Sequence, residues 1–436
     1  MTRRNALFLL LAALIVGASG AYHLSRGLTG SQDIYYVQYL GYRWFEPMRA
    51  TAALEQEVRA SGATQAALAL ELKRRELSAR NYPAVAVMGY LGTRLFPGAL
   101  TGQIAFAQSA AFLLGLAIAF LGLARAPAMA APFAVATGAM ALLGFLPGPS
   151  PTGHLLYHEG LENALNLIVL AVNPGEAFSP LSFWPKSSLA LILMAALANR
   201  WSGRILTGYV LVLATLLFHI TLGGLVLVGF VIMDLALRPR AVPWARLAPV
   251  LVLGAAAFSL GQWRIFAASG KFALTLALLA LVAVAGVIAS RWLAPRVARV
   301  PLHVADTVAF AAAALLLTLL AVALYLAAAP DTPWNIDSLY LQIAARLIVL
   351  AVSVAWLCLG VRAVAWIEAR GARLAVVPLV AFACLATVYG AAGSWWWEAR
   401  FLDSRLHDPT ARAATEPLAP IYYRALQALM TTKGRE

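Results

Sequence analysis

Few side chains in this sequence can do acid–base or binding chemistry, and the first of them follow the first apolar segment. Asp33 stands beside three tyrosines, which are aromatic residues common at membrane–water interfaces. A carboxylate there can act as a general base at the edge of a bilayer, or it can be a loop acid or the N-cap of the next helix. Glu46 is a second candidate catalytic acid, and Arg43 is a candidate contact for a phosphate group.

A second group of polar residues follows the third apolar run. His154 and His158 are four residues apart, so one face of a helix would present both. With Glu159 or Glu162 they can hold a divalent cation, and Mg or Mn is the cofactor that such a site would use. The same side chains can instead form an acid-and-base cluster facing a polar headgroup, with Glu159 as a catalytic acid. Both hypotheses stay open on the sequence.

Four further residues bring a charge or an imidazole next to an apolar run, or into one. Lys186, at the mouth of a predicted span, can bind an anionic headgroup or extend to the interface. His219 lies between two predicted spans, as a packed loop residue or as the wall of a site. Arg264 puts positive charge on the predicted outer side. Arg346 lies inside an apolar run, where a charge costs roughly 2.5–3.5 kcal/mol, so its partner is another span or a bound phosphate.

The composition decides the class of protein. Of the 436 residues, 62% are hydrophobic and 12% are charged, and the mean hydropathy is +0.78. Soluble domains are about 45–50% apolar and about 25% charged. The apolar runs approach the roughly 20 residues that cross hydrocarbon, and the sequence has no alternating barrel strands. We therefore predict an all-α, polytopic transmembrane helical bundle of about eleven spans. After the first span they are predicted at 102–123, 129–147, 185–199, 204–219, 221–236, 247–267, 272–290, 305–328, 339–361 and 374–393.

The arginines set the predicted orientation of these spans. Those between the spans fall on one side, which the positive-inside rule assigns to the cytoplasm. The formal net charge of +14 therefore indicates a membrane topology and no nucleic-acid partner. Asp234 and Asp306 fall near the cytoplasmic ends of spans, where they are predicted to be topological or interfacial. The loop arginines are Arg125, Arg200, Arg204, Arg238, Arg240, Arg246, Arg291, Arg296, Arg299, Arg362, Arg370 and Arg373.

The chain divides into five predicted segments. The first has a positive start and an apolar core, as in a membrane anchor or a secretory signal. The second is a long extracytoplasmic loop whose amphipathic helices, Met48–Arg59 and Ala63–Arg80, can lie on the bilayer surface. The segments are 1–21, the anchor; 22–100, the loop; 101–236, a transmembrane core; 237–393, C-terminal transmembrane helices; and 394–436, an extracytoplasmic tail.

This order of elements resembles the GT-C superfamily of membrane glycosyltransferases. In those enzymes a first span is followed by a long outer loop with an acidic residue near its start, here Asp33, and then by a series of spans. The resemblance covers roughly residues 1–235, and the later half is similar only as generic spans. The matching stretches are Tyr82-Pro83 followed by Leu91–Phe96, Phe178-Ser179-Pro180, Asn199-Arg200-Trp201 and Phe218-His219.

The resemblance implies transfer of a sugar from a polyprenyl-phosphate donor to a lipid, glycan or protein acceptor. The reaction would take place on the outer face of a bacterial inner membrane, with the N-terminus in the cytoplasm and the C-terminus outside. Asp33 would deprotonate the acceptor hydroxyl, and positive charge would stabilise the leaving phosphate. The cations that suit this second role are Arg43, Lys186, Arg264 and Arg346.

Three other functions stay open on the sequence. A transporter or flippase for a lipid-linked or anionic substrate would need several charged residues deep in its spans, and Arg346 is the clear case. A polysaccharide polymerase or ligase would use outer residues such as His154, His158 and Arg264. A scaffold of an envelope polysaccharide assembly would dock other envelope proteins on the first loop and on the tail, where Tyr422-Tyr423 are either interfacial anchors or partner contacts.

Overall fold

A computed structural model of the chain describes residues 3, 5–14, 32–61, 81–144, 184–238, 241–269, 301–326, 338–370 and 419–431, with isolated positions between 281 and 300. The helices are α1 (Asn5–Leu14), α2 (Gln32–Phe45), α3 (Pro47–Ala60), α4 (Pro83–Leu95), α5 (Leu100–Arg125), α6 (Ala130–Gly144), α7 (Trp184–Trp201), α8 (Ile205–Ala214), α9 (Ile220–Leu237), α10 (Trp244–Ser269), α11 (Leu302–Leu326), α12 (Ser338–Ala369) and α13 (Ala419–Thr431).

The described part of the chain contains no strand, which confirms the prediction of an all-α protein. Three stretches are long and apolar enough to cross a membrane, namely Ile220–Leu237, Leu302–Leu320 and Arg346–Ala369. A fourth crossing is added if α5 and α6, which meet at a bend of 116°, form one broken span. These helices could therefore span a membrane, whereas the count of about eleven spans stays a prediction.

Most of the predicted runs coincide with helices. The run 102–123 lies within α5, 221–236 within α9, and Met48–Arg59 within α3. Helices α3 and α4 each begin with a proline, at the position where a missing N–H loses no helical hydrogen bond. The runs 374–393 and Ala63–Arg80 lie outside the described residues, as does nearly all of 272–290.

Small residues let the helices of the bundle approach closely. A side chain at Gly115 of α5 would overlap Ser188 of α7, and one at Gly360 of α12 would overlap the backbone of Pro132 in α6. Close backbone contact of this kind is typical of membrane helices, because lipid tails are as apolar as the helices and van der Waals packing must hold the helices together. Residues of α5, α6, α7, α8, α9, α11 and α12 share one buried core.

Helix α9 connects two ends of this bundle. His219 immediately precedes α9, and Arg346 of α12 contacts it there; we call this the histidine end. Near the other end of α9, Asp234 meets Arg200 from the end of α7 and Asp306 from the start of α11; we call this the arginine end. Asp234 is fifteen positions after His219, a separation of roughly 22 Å along a helix axis.

A platform of short helices, α2, α3, α4 and α13, packs mainly through tyrosine rings. The rings of Tyr36 and Tyr39 in α2 lie 5.6 and 5.4 Å from the ring of Tyr422 in α13. Arg424 of α13 donates to the Glu57 carboxylate of α3 at 2.8 Å. The tail helix therefore packs on the first-loop helices of the same chain, and the tail tyrosines have an intramolecular partner.

Helices α2 and α4 contact each other at Gly41 of α2 and Gly89 of α4. The Gln38 side chain donates to the Gly89 carbonyl oxygen at 3.1 Å, and the Phe45 ring stacks on Tyr90 with centroids 4.3 Å apart. Just past the end of α2, the Glu46 carboxylate lies 3.9 Å from Arg94 in the last turn of α4. Because the contacts from Gln38 to Glu46 follow the order from Gly89 to Arg94, α2 and α4 run in the same direction. The first turn of α2, which contains Asp33, therefore lies at the same end as the first turn of α4.

We expect Gly41→Ala to destabilise this contact. A Cβ at Gly41 would lie 2.6 Å from the Tyr90 nitrogen and 2.8 Å from the Gly89 carbonyl carbon, so α2 and α4 must separate, at a cost of about 1–3 kcal/mol. The measurement is the thermal unfolding midpoint of the purified protein in detergent. Gly229→Ala is the matched control, because its Cβ would meet Phe310 at an ordinary 3.6 Å. An unchanged midpoint for Gly41→Ala would contradict the close approach.

Candidate functional site

The histidine end holds a group of buried polar side chains at the start of α9. His219 is the N-cap residue of α9, and its Nδ1 accepts a hydrogen bond from the Leu222 backbone N–H at 3.3 Å. Thr221 donates its hydroxyl to the Asn81 side-chain oxygen at 2.8 Å. Asn81, His219 and Thr221 are all buried. The start of α9 is thereby bound to the segment that leads into α4.

Arg346 approaches the other nitrogen of the His219 ring. Its Nη1 lies 3.1 Å from Nε2. Arginine has only N–H donors, and a neutral imidazole has one donor and one acceptor nitrogen. Burial lowers the pKa of His219 well below its ordinary value, and the Arg346 guanidinium lowers it further. The ring is therefore neutral at pH 7, and it cannot accept from both Leu222 and Arg346.

This geometry leaves two hydrogen-bond donors facing each other in the pair. Whichever ring nitrogen carries the proton, one N–H of the ring faces another N–H donor. With Nδ1 accepting from Leu222, Nε2–H points toward the guanidinium of Arg346. An anionic oxygen that accepts from both groups would remove this conflict. In the described residues no carboxylate forms an ion pair with Arg346.

Tyr82 links this site to the helix that carries Asp33. Its ring packs edge-on against His219, with centroids 4.8 Å apart. Tyr82 also packs against the tyrosine cluster of the platform, which includes Tyr35 and Tyr36 near the start of α2. Asp33 is in the first turn of α2, because the helix begins at Gln32. The prediction of a loop acid or an N-cap at Asp33 is therefore wrong, whereas its role as a base stays a prediction.

Glu46 lies in the joint between α2 and α3, where two arginines approach it. Its carboxylate is 2.7 Å from Arg49 and 3.9 Å from Arg94. Burial raises the pKa of the neighbouring Tyr42, and the Glu46 carboxylate raises it further. The Glu46 carboxylate already has two cationic partners, so this geometry favours a structural role for Glu46. Arg43 is in the last turn of α2 and is partly buried.

The remaining predicted site residues are only partly placed. Lys186 is the third residue of α7, and Arg264 lies in the second half of α10. His154, His158, Glu159 and Glu162 lie outside the described residues. Within the described ranges, no group of three histidine, cysteine, aspartate or glutamate residues could hold a metal ion. The metal-site hypothesis thus concerns a segment that the structure does not describe.

A buried ion-pair network lies at the arginine end. Arg200 donates from Nε to the Asp306 carboxylate at 2.7 Å, and its Nη2 contacts Asp234. Trp201 also donates to Asp306, at 3.1 Å, and the Tyr209 hydroxyl donates to Asp234 at 2.6 Å. Arg200, Asp234 and Asp306 are all buried. The prediction of a loop position for Arg200 is therefore wrong, because Arg200 is buried in the last turn of α7. The topological or interfacial positions of the two aspartates stay predictions.

Sequence reasoning did not single out Asn81, Thr221 or Tyr209 as partners at these two ends. Their polar atoms form hydrogen bonds between segments that are distant in the chain, and residue spacing does not predict such contacts. Asp234 and Asp306 did carry a signal, since an acid within an apolar run needs a partner or a function. Their basic partner is Arg200, which the sequence does not distinguish from the other arginines that follow predicted spans.

We expect Arg200→Met to destabilise the protein strongly. Removing this guanidinium leaves two carboxylates buried without their cation, and breaking a buried ion pair costs about 3–5 kcal/mol. The thermal unfolding midpoint in detergent measures the loss. Arg204→Met is the matched control, because Arg204 is exposed just after the same helix. Equal midpoints for the two variants would show that the network does not hold α7, α9 and α11 together.

Comparison with known proteins gives no match for this chain. No protein-family model, no curated protein and no solved structure is found to match it. The resemblance of its element order to GT-C glycosyltransferases therefore stays a hypothesis. Function has to be argued from the two polar clusters, because a fold alone does not imply an activity.

Proposed function

We propose that this protein is a membrane glycosyltransferase that moves a sugar from a polyprenyl-phosphate donor to a lipid, glycan or protein acceptor. The observation that carries the proposal is the His219–Arg346 pair, in which a guanidinium N–H donor lies 3.1 Å from the imidazole within an apolar bundle and has no carboxylate partner among the described residues. Phosphate oxygens, like carboxylate oxygens, form strong charge-assisted hydrogen bonds with such donors. A lipid-linked phosphate brings such oxygens to the membrane while its chain lies in hydrocarbon.

The proposed reaction explains why positive charge is needed at this place. The acceptor hydroxyl attacks the anomeric carbon of the sugar, and the bond from that carbon to the phosphate oxygen breaks. The electron pair of the broken bond stays on the phosphate, which goes from a singly charged diester to a polyprenyl phosphate with one more negative charge. Arg346 stabilises that developing charge. The hydroxyl proton passes to a carboxylate, for which we propose Asp33.

The position of Asp33 supports this assignment. Its helix turn adjoins the tyrosine cluster that Tyr82 borders, and Tyr82 contacts His219. The base and the phosphate site are therefore on neighbouring elements, as a reaction between a bound donor and a bound acceptor requires. Glu46 is a weaker candidate because two arginines hold its carboxylate.

We also propose the topology that the arginines favour, with about eleven spans in a bacterial inner membrane. Exposed arginines at the arginine end, such as Arg125 and Arg204, support a cytoplasmic position for that end. The histidine end then faces outward. The packing of α13 on α2 and α3 supports the placement of the first loop and the tail on one side, which is outside in this topology.

We expect Asp33→Asn to abolish transfer. Wild type and variant would be incubated with a panel of polyprenyl-phosphate sugars and an envelope glycan and lipid extract, and mass spectrometry would detect a glycosylated product. The amide cannot take the acceptor proton, so product should fall by at least about 100-fold. Glu55→Gln is the control, because Glu55 is an exposed acid of α3. Equal product from wild type and Asp33→Asn would remove Asp33 as the base and leave the transferase class intact.

We expect Arg346→Gln and His219→Gln to weaken binding of polyprenyl phosphate by about 10- to 100-fold, the value of a charge-assisted hydrogen bond. Binding is measured by native mass spectrometry in micelles, without any sugar. Polyprenol lacking phosphate and inorganic phosphate are tested in parallel, to separate the lipid chain from the anion. Arg362→Gln is the control, because Arg362 is an exposed arginine of the same helix. Unchanged affinity in both variants would refute the phosphate site.

A second candidate function is a transporter or flippase for a lipid-linked or anionic substrate. It is favoured by the burial of Arg200, Asp234 and Asp306, since several charged residues within the helical bundle are the feature that such proteins need. Flux of a fluorescent polyprenyl-phosphate lipid across proteoliposomes tests it. Flux by wild type without any glycosyl transfer would favour this function over the transferase.

A further inference from the structure

The arginine end has one negative charge too many for a buried site. Arg200 and Asp306 face each other through two donor nitrogens of the guanidinium, at 2.7 and 3.5 Å, so these two groups neutralise each other. Asp234 is a second carboxylate on the same guanidinium, and it is fully buried. An uncompensated charge in an apolar interior is costly, so such a group is neutralised by a proton or by a cation.

The hydrogen bonds distinguish the two carboxylates. Asp306 receives N–H donors from Arg200 and from Trp201, and such donors stabilise an ionised carboxylate. Asp234 contacts Nη2 of the same Arg200 guanidinium through its Oδ1, and its Oδ2 is 2.6 Å from the hydroxyl of Tyr209. A tyrosine hydroxyl can donate or accept, so this contact persists when Asp234 carries a proton and donates to Tyr209. Asp234 is therefore the carboxyl group whose surroundings suit both protonation states.

We propose that Asp234, with Tyr209, is a proton-binding site at the arginine end, and that it holds a proton while Asp306 stays ionised with Arg200. The inference goes beyond the proposed transferase and does not depend on it. Uptake leaves the network neutral, and release leaves it with one negative charge between α7, α8, α9 and α11. Proton exchange thus changes the force that holds these helix ends together.

The neighbouring ionisable groups are consistent with this exchange. The groups that face Asp234 are Arg200 of α7, Tyr209 of α8 and Asp306 of α11. His303, one turn before Asp306, interacts with that carboxylate and with Arg362 of α12. His303 is only partly buried, so an ionisable side chain that interacts with Asp306 is accessible to solvent protons.

Infrared difference spectroscopy tests the proposal on the full-length protein in an ester-free detergent. At pH 7, wild type should show the carbonyl band of a protonated carboxyl group, and Asp234→Asn should lose it. Tyr209→Phe should keep the band but move it to higher frequency, because the acceptor of the carboxyl proton is gone. Glu57→Gln, in a surface ion pair of the platform, is the control and should leave the band unchanged.

Two results would overturn the proposal. One is a wild-type spectrum without a protonated carboxyl band at pH 7. The other is a band that Tyr209→Phe does not move, which would place the proton on another group. If Asp234→Asn fails to fold, the wild-type and Tyr209→Phe spectra still decide. A stable Asp234→Asn variant would add support, because asparagine replaces the neutral carboxyl group at similar size.

Discussion

Arg200 lies buried between the carboxylates of Asp306 and Asp234, and the positions of three helices follow from these contacts. Each group alone would be costly in an apolar bundle, and each becomes acceptable because the others are at hydrogen-bond distance. The partners come from α7, α9 and α11, so the network sets the axial position of these helices relative to one another. Once α9 is fixed at this end, the position of His219 at its other end is fixed as well, because a helix of this length is close to rigid.

The two ends of α9 satisfy their charges in different ways. At the arginine end, two carboxylates contact one guanidinium, and the proton proposed on Asp234 neutralises the excess negative charge. At the histidine end, Arg346 faces a neutral imidazole, and in the described residues no carboxylate pairs with it. An arginine with a carboxylate partner stabilises a fold, whereas an arginine that faces another donor is suited to an anionic ligand.

The platform of α2, α3, α4 and α13 carries Asp33, the proposed base for the acceptor hydroxyl. Gly41 allows α2 to lie directly against the backbone of Gly89 and Tyr90 in α4. The tyrosine cluster packs the start of α2 near Tyr82, which contacts His219. The tail helix closes this cluster, so residues more than 370 positions apart in the chain, such as Tyr36 and Tyr422, form one unit. Placement of Asp33 therefore depends on backbone approach and ring packing as much as on local sequence.

The sequence by itself determined that the chain is helical and that its helices are apolar enough for a membrane. It also located α3, α5 and α9, because amphipathic patterns and apolar runs are local signals. It showed that Arg346 needs a partner but not which one. Only the tertiary structure decided that Arg346 lies against His219, 127 residues away, and that Arg200 meets Asp306 across 106 residues. The physical reason is that a helix apolar on all sides gives no sign of which face meets which neighbour, so contacts between helices are set by packing and by the few buried polar groups.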